Sequence, residues 1–224
     1  MGNRTCRNDE SSDLETVTLA GDRGGGNGLA RFVDRFFDSV WSRKAYHLVA
    51  GGLLATASLV LSNSWFAALC LAWLVLFGLA SKRISTAVLG LLLLALLTGA
   101  RLTIFGAALI FVVGDGVAAL AGTALGRTRL PWHEQKSVAG SLAFLASATI
   151  AMLIALPAMF ICSPAQLVLL AVLPSTVGCL AEAQPFALVR DIRDGKPDDN
   201  LLVILSSGAM LHFLIGFLHI RAIR

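Results

Sequence analysis

Carboxylates are the residues in this chain whose placement most invites chemistry. Seven of the 14 acids lie in residues 1–38, and the rest are Asp115, Glu134, Glu182, Asp191, Asp194, Asp198 and Asp199. Asp115 stands inside an apolar run, in "GDGVAALAGTALG". A carboxylate near the middle of a membrane helix costs roughly 2.5–3.5 kcal/mol on insertion scales, so such residues face a bundle interior or a water-filled cavity. Asp115 therefore needs a function, a helix break at Gly114 and Gly116 that admits water, or a buried partner such as His47, Arg101 or Lys136.

Near the end of the chain, Asp198, Asp199 and Asn200 stand in a row where an apolar run begins. Capping a helix needs one such side chain. Three of them, with Glu182 closing the preceding run, suit oxygen-only coordination of Mg²⁺ or Ca²⁺ bridged to phosphate. Cations are available to meet phosphate. His47 follows Arg43 by four residues and Lys44 by three, which aligns them on one helix face. Residues 127–137 add Lys136 and the Ser137 hydroxyl. The segment is not a Walker A loop, because Gln135 stands where that motif requires Gly, and "HEQKS" is not a zinc-protease helix, because Ser137 replaces the second His. Ala118, Gly122 and Gly126, at i, i+4 and i+8, form a small-residue stripe that lets a helix or a ligand approach closely.

These residues must be positioned by membrane helices. The chain has 224 residues, 56% hydrophobic and 14% charged, with a mean hydropathy of +0.76, which is outside the soluble range. Apolar runs at 45–61, 65–80, 84–100, 102–126, 138–162, 164–181 and 201–220 approach the ~20 residues that a helix needs to cross ~30 Å of hydrocarbon. The expected fold is an all-α polytopic membrane bundle of about seven transmembrane helices. With the N-terminus inside, 15 of the 18 Lys and Arg residues fall in inside segments, which places the N-terminus and the segments after the fourth and sixth spans in the cytoplasm. The +4 net charge is then topology and contact with anionic lipid, not a nucleic-acid footprint.

Residues 1–28 are polar, end in "GDRGGGNG" and have no apolar core of a signal peptide, so they are expected to be a flexible tail. Their start is not a myristoylation site, since Cys6 replaces the expected Ser or Thr. Leu29, Phe32, Val33, Phe36, Phe37, Val40 and Trp41 recur at helical spacing among charged residues, predicting an interfacial amphipathic helix over 29–42. Residues 43–224 are the membrane-embedded domain. Cys6, Cys70, Cys162 and Cys179 have no CxxC spacing and read as small hydrophobes.

With these groups on one side of a membrane, the chain resembles the CTP-dependent lipid-alcohol kinases, the family of phytol kinase, dolichol kinase and the CTP-dependent diacylglycerol kinase of yeast. "RKAYHLVAGG" is similar to the family's opening RKxxHxxxG. Gly114, Asp115, Ala118, Gly122, Gly126, Lys136, Ser137, Gly140 and Ser141 match GDxxAxxxGxxxG and KSxxGS, while Glu182 and Asp198-Asp199-Asn200-Leu201 match the closing Glu and DDNL. Ile204 departs from a Pro often found there, and the length is closer to the phytol or diacylglycerol kinases. The resemblance implies transfer of the γ-phosphate of CTP to a membrane lipid alcohol. The phosphates would lie near Arg43, Lys44, His47, Gly114, Gly122, Gly126, Lys136 and Ser137, a divalent metal at Asp115, Glu182, Asp198, Asp199 or Asn200, and catalysis would fall to Asp115, Lys136 and Glu182. Either a metal ligand or the base fits Asp115. The rivals are a phosphatidate cytidylyltransferase and, from another class, a transporter using His212 and His219. The sequence contains no internal repeat of the kind transporters show.

Overall fold

The computed structural model describes residues 40–77, 82–184, 189–190 and 197–223. The tail 1–28 and residues 29–39 of the expected interfacial helix lie outside them. Apolar runs become helices because hydrocarbon offers the backbone no hydrogen-bond partner and only internal pairing satisfies it. Seven result among the described residues: α1 (Val40–Val60), α2 (Asn63–Phe77), α3 (Lys82–Thr98), α4 (Arg101–Leu125), α5 (Val138–Ala155), α6 (Pro164–Glu182) and α7 (Asn200–Phe217). Four stretches are long and apolar enough to cross a membrane: Arg101–Leu125, Val138–Ala158, Pro164–Glu182 and Asn200–Phe217. The apolar parts of α1, α2 and α3, at His47–Val60, Asn63–Leu76 and Thr86–Thr98, are shorter.

The helix ends have local causes. Ser137 caps α5, its hydroxyl accepting from the Gly140 amide at 3.1 Å. Ser163 and Gln166 form a reciprocal capping box at the start of α6, with Pro164 in the first turn. Gly99, at φ 59°, makes the turn between α3 and α4, a conformation that costs a residue with a Cβ. Where the sequence suggested one span over 138–162, α5 stops at Ala155. Pro157 lies in the 3₁₀ turn Leu156–Ala158, and the chain then leaves as β3 (Phe160–Ile161), paired antiparallel with β6 (Arg221–Ala222). The other strands are β1 (Arg129–Leu130) with β2 (His133–Ser137), and β4 (Val189–Arg190) with β5 (Pro197–Asp198).

Helix α4 is the axis of the bundle. In its most apolar stretch 56% is buried, against 22–39% in α5, α6 and α7, and it packs on α1, α3, α5, α6 and α7. Small residues let it do so. Gly114 lies under the Phe144 ring of α5, where a Cβ would come within 2.7 Å of the ring; Gly116 lies against Leu48 of α1. The order of these contacts fixes direction. Position 48 of α1 meets 116 while 51 meets 112, and on α5 position 144 meets 114 while 152 meets 106, so both run antiparallel to α4. One end of the bundle therefore collects the end of α4, the β1–β2 hairpin, the end of α6 and the start of α7. The opposite end is joined by β3–β6 and by a hydrogen bond from the Asn63 side chain to the Gly99 carbonyl.

Large apolar side chains point outward on every face: Val49 and Leu53 on α1, Ile150 and Ile154 on α5, Phe213 and Phe217 on α7. An outer surface this apolar is normal for a chain solvated by lipid and not for one solvated by water. The chain is a bundle of helices, four of its stretches long and apolar enough to span a membrane, consistent with a membrane protein.

Candidate functional site

The site lies at the hairpin end of the bundle. Residues Thr128 to Val138 fold back on themselves, with Arg129 opposite Ser137, Leu130 opposite His133, and the Val138 amide donating to the Thr128 carbonyl at 3.1 Å. At its tip Trp132 donates its indole N–H to the Ala183 carbonyl at 2.9 Å, fastening the hairpin to the end of α6. Tryptophan suits this join because its ring is apolar and its one N–H needs a partner when covered.

The fastening delivers Lys136 to two carboxylates on different helices. Its Nζ donates to Glu182 Oε1, on the last residue of α6, and to Asp199 Oδ2, at the start of α7, at 2.6 Å. The Glu182 side chain is 7% exposed, those of Lys136 and Asp199 24% and 29%. Burial alone lowers the Lys136 pKa, but the charges of Asp199 and Glu182 and their hydrogen bonds outweigh it, leaving the ammonium above the ordinary lysine value. The second oxygen of Glu182, Oε2, is buried and has no hydrogen-bond partner among the described residues, as is true of the Ser141 hydroxyl. A buried oxygen without a partner costs free energy comparable to a lost hydrogen bond, so each of these atoms calls for a water, an ion or another polar group.

Beside Lys136 in the chain, the start of α5 packs on the end of α4 across a floor of glycines filled by Ser137. Ser137 is buried, and Gly122, Gly126 and Gly140 close around its hydroxyl: a Cβ would come within 3.2 Å of it from Gly122, 2.7 Å from Gly126 and 3.1 Å from Gly140. Backbone amides at the first turn of α5 face the same end, and a helix start favours anions. This end of the bundle thus carries a cation and a helix start beside two carboxylates.

Asp115 forms a second group. α4 is continuous through Gly114 and Gly116, so no helix break explains this residue. Its partner is His47 of α1, with Nε2 3.5 Å from Oδ2, and the imidazole stands edge-on to Phe111, one turn before Asp115, with ring centres 4.8 Å apart. Arg101, the other distant candidate, lies at the opposite end of α4.

Of the residues singled out by sequence, the structure brings together Lys136, Ser137, Glu182 and Asp199 with Gly122 and Gly126, and separately His47 with Asp115. Asp199 occupies the N-cap of α7 but makes no capping bond; Lys136 has its carboxylate instead. Asn200, half-buried, opens α7. Gly114 serves the packing of α4 on Phe144 instead of lining the floor. Arg43 and Lys44 belong to the first turns of α1, and Asp198 to β5; their side chains lie outside the described residues. Among the described residues no three His, Cys, Asp or Glu side chains converge as a self-sufficient metal site. The proposed transporter stripe does not form, because His219 lies beyond the end of α7, while His212 faces Thr103 at 3.4 Å. Sequence reasoning missed Trp132 as the clasp. Its signal was an aromatic residue beside Pro131 in an otherwise basic connection.

Comparison of the chain with protein-family models, with curated proteins and with solved structures finds no match.

Proposed function

We propose that this protein is a phosphotransferase that moves the γ-phosphate of a nucleoside triphosphate, CTP by its resemblance to the lipid-alcohol kinases, to the hydroxyl of a membrane lipid. The observation that carries the reading is the Lys136 ammonium held between Glu182 and Asp199 beside the Ser137–glycine floor. Phosphoryl transfer is mostly positioning and charge neutralisation, and these residue types supply both. The reading places the hairpin end of the bundle at the cytoplasmic surface, as the Lys and Arg distribution requires, with all seven helices crossing the membrane.

In this mechanism the donor's phosphates lie on the glycine floor at the start of α5, with Lys136 neutralising their oxygens. Glu182 and Asp199 would hold a divalent cation. Two carboxylates plus substrate phosphates are a donor set Mg²⁺ accepts, and the unpartnered Glu182 Oε2 fits it. When bound, the ion supplies positive charge to the transferring phosphoryl group. With Glu182 and Asp199 assigned to the cation, Asp115, facing His47, serves as the base. It takes the proton as the lipid oxygen bonds to the γ-phosphorus and the bond to the β-phosphate oxygen breaks, releasing a nucleoside diphosphate.

The test is turnover by purified protein in lipid with Mg²⁺ and γ-labelled CTP, offered phytol, a polyprenol and diacylglycerol in parallel. Label is expected on a lipid with the wild type and a drop of at least about 100-fold with Asp115→Asn, the low end of general-base effects. Pyrophosphate release with phosphatidate, and no labelled lipid, establishes the cytidylyltransferase instead.

A further inference from the structure

Two acids carried by different helices converge on one point, and a lysine fills it. Glu182 ends α6, Asp199 immediately precedes α7, and the Lys136 ammonium donates to one oxygen of each. The ammonium thus bridges the carboxylates as a divalent ion would, with one positive charge where the ion carries two. It makes no use of Glu182 Oε2, which is buried and without a partner among the described residues. The hairpin backbone is held independently of this bridge, by the Trp132 indole on the Ala183 carbonyl and by the Val138 amide on the Thr128 carbonyl. Lys136 is therefore able to leave the acids while the hairpin stays in place. Its four-carbon stem is flexible, and its side chain is 24% exposed, so the ammonium has a way out.

We propose that Lys136 and a divalent cation occupy the Glu182–Asp199 pair in exchange, so that arrival of the ion releases the lysine to meet an anionic phosphate. The inference rests on the phosphotransferase reading for what the released lysine then does, and not for the exchange itself. Like charges cannot share these oxygens without repulsion, and with Lys136 in place the two carboxylates present one net negative charge to an incoming ion instead of two. A ligand shifts an equilibrium only by what it gains in one state over the other. Here the ion brings a second positive charge and a preference for several oxygens, and Glu182 Oε2 offers it a contact that the ammonium leaves unused. The released lysine is next in the chain to Ser137, at the start of α5, where the reading above lays the donor's phosphates. The exchange sets an order of events: the cation binds the acids, and only then is Lys136 offered to phosphate.

The experiment uses the full chain in lipid nanodiscs without nucleotide and follows acetylation of each lysine by mass spectrometry. Lys44, Lys82 and Lys196, the other lysines of the chain, are internal references. Mg²⁺ should speed acetylation of Lys136 severalfold relative to them, while choline chloride at equal ionic strength should not. Glu182→Gln should make Lys136 fast without Mg²⁺ and indifferent to it. Binding of Mn²⁺ alone, read by electron paramagnetic resonance, supplies the reciprocal test. Lys136→Met should bind Mn²⁺ at least about tenfold more tightly than the wild type, because the ion no longer has a competitor, and Glu182→Gln added to it should abolish the gain. Lys136 equally slow at saturating Mg²⁺ overturns the proposal even if the variants misfold, since that is a wild-type readout; equal Mn²⁺ affinity in wild type and Lys136→Met overturns it as well. The two readings separate cleanly. Exchange without phosphate transfer keeps the exchange and removes the kinase; transfer with Lys136 unresponsive to the ion keeps the kinase and removes the exchange.

Discussion

Lys136 is the residue on which the two carboxylate-bearing helices meet, and its removal has a specific cost. Lys136→Met leaves Glu182 buried and charged without its partner. Breaking a fully buried pair costs ~3–5 kcal/mol, and with Asp199 29% exposed the expected loss is about 2–3 kcal/mol. Lys136→Met with Glu182→Gln should recover most of the lost thermal midpoint while remaining inactive, since the double variant has no buried orphan charge, Asp199 being partly exposed, and no phosphate-binding cation. The pH dependence follows from the raised Lys136 pKa. A group whose folded value exceeds its ordinary one stabilises fully below the ordinary value, ~10.4 for lysine, and loses that contribution as pH rises through the raised value. The gap in midpoint between wild type and Lys136→Met should therefore stay constant from about pH 7 to about pH 10. A gap closing in that window means that the ammonium is not held by these carboxylates. Lys136, Ser137, Glu182 and Asp199 were legible as separate candidates, but their grouping was not. The contacts span 46 and 63 residues, and no local spacing encodes such a distance.

Among the elements, α4 shows which small residues matter. Sequence marked Ala118, Gly122 and Gly126 as a stripe, and the structure adds what each glycine touches. Gly114 lies against an aromatic ring, whereas Gly52 has open space where a Cβ would stand. Gly114→Ala should cost about 1–3 kcal/mol as overpacking, and Gly52→Ala should be neutral or gain ~0.5–1 kcal/mol from helix propensity. Thermal unfolding in detergent checks the pair; equal effects would sink the packing account of α4. Helix ends carry local signals, Pro164 with Ser163 and Gln166 and Ser137 before an apolar run, but the cap read from the sequence at Asp198–Asn200 makes no capping bond and the run 138–162 overran the end of α5. The hairpin was not visible. Its strands are two and five residues long, and Trp132 docking on Ala183 is a tertiary contact with no periodic pattern.

For the whole molecule, composition was sufficient to place the chain in a membrane, because apolar content is summed over every residue and survives errors at any one. The number of crossings was harder to read. α1 to α3 contain apolar stretches of intermediate length, and length alone does not decide whether such helices span. The antiparallel packing of α1 on α4 and the Lys and Arg distribution both favour a full crossing, which makes a measurable demand. Single cysteines introduced at Thr128 and Gln184 should be reached by an impermeant thiol reagent from the cytoplasmic side, and one at Arg101 from the opposite side. Labelling of all three from one side removes the seven-span arrangement.

The central place of α4 also bears on how the protein is made. Synthesis delivers α4 after α1 and α3 but before α5, α6 and α7, which cover the rest of it. Until then the face carrying Gly106 and Ala107, which Leu211 and Gly208 of α7 later close, is open to lipid. A nascent chain halted before residue 200 would therefore carry a carboxylate and an unsealed glycine face in the bilayer, the kind of half-built helix that membrane quality control removes. Chains ending at 199 should fail to accumulate, whereas co-expressing residues 197–224 as a separate piece should restore them, since α7 contributes its seal by packing and not by its covalent link.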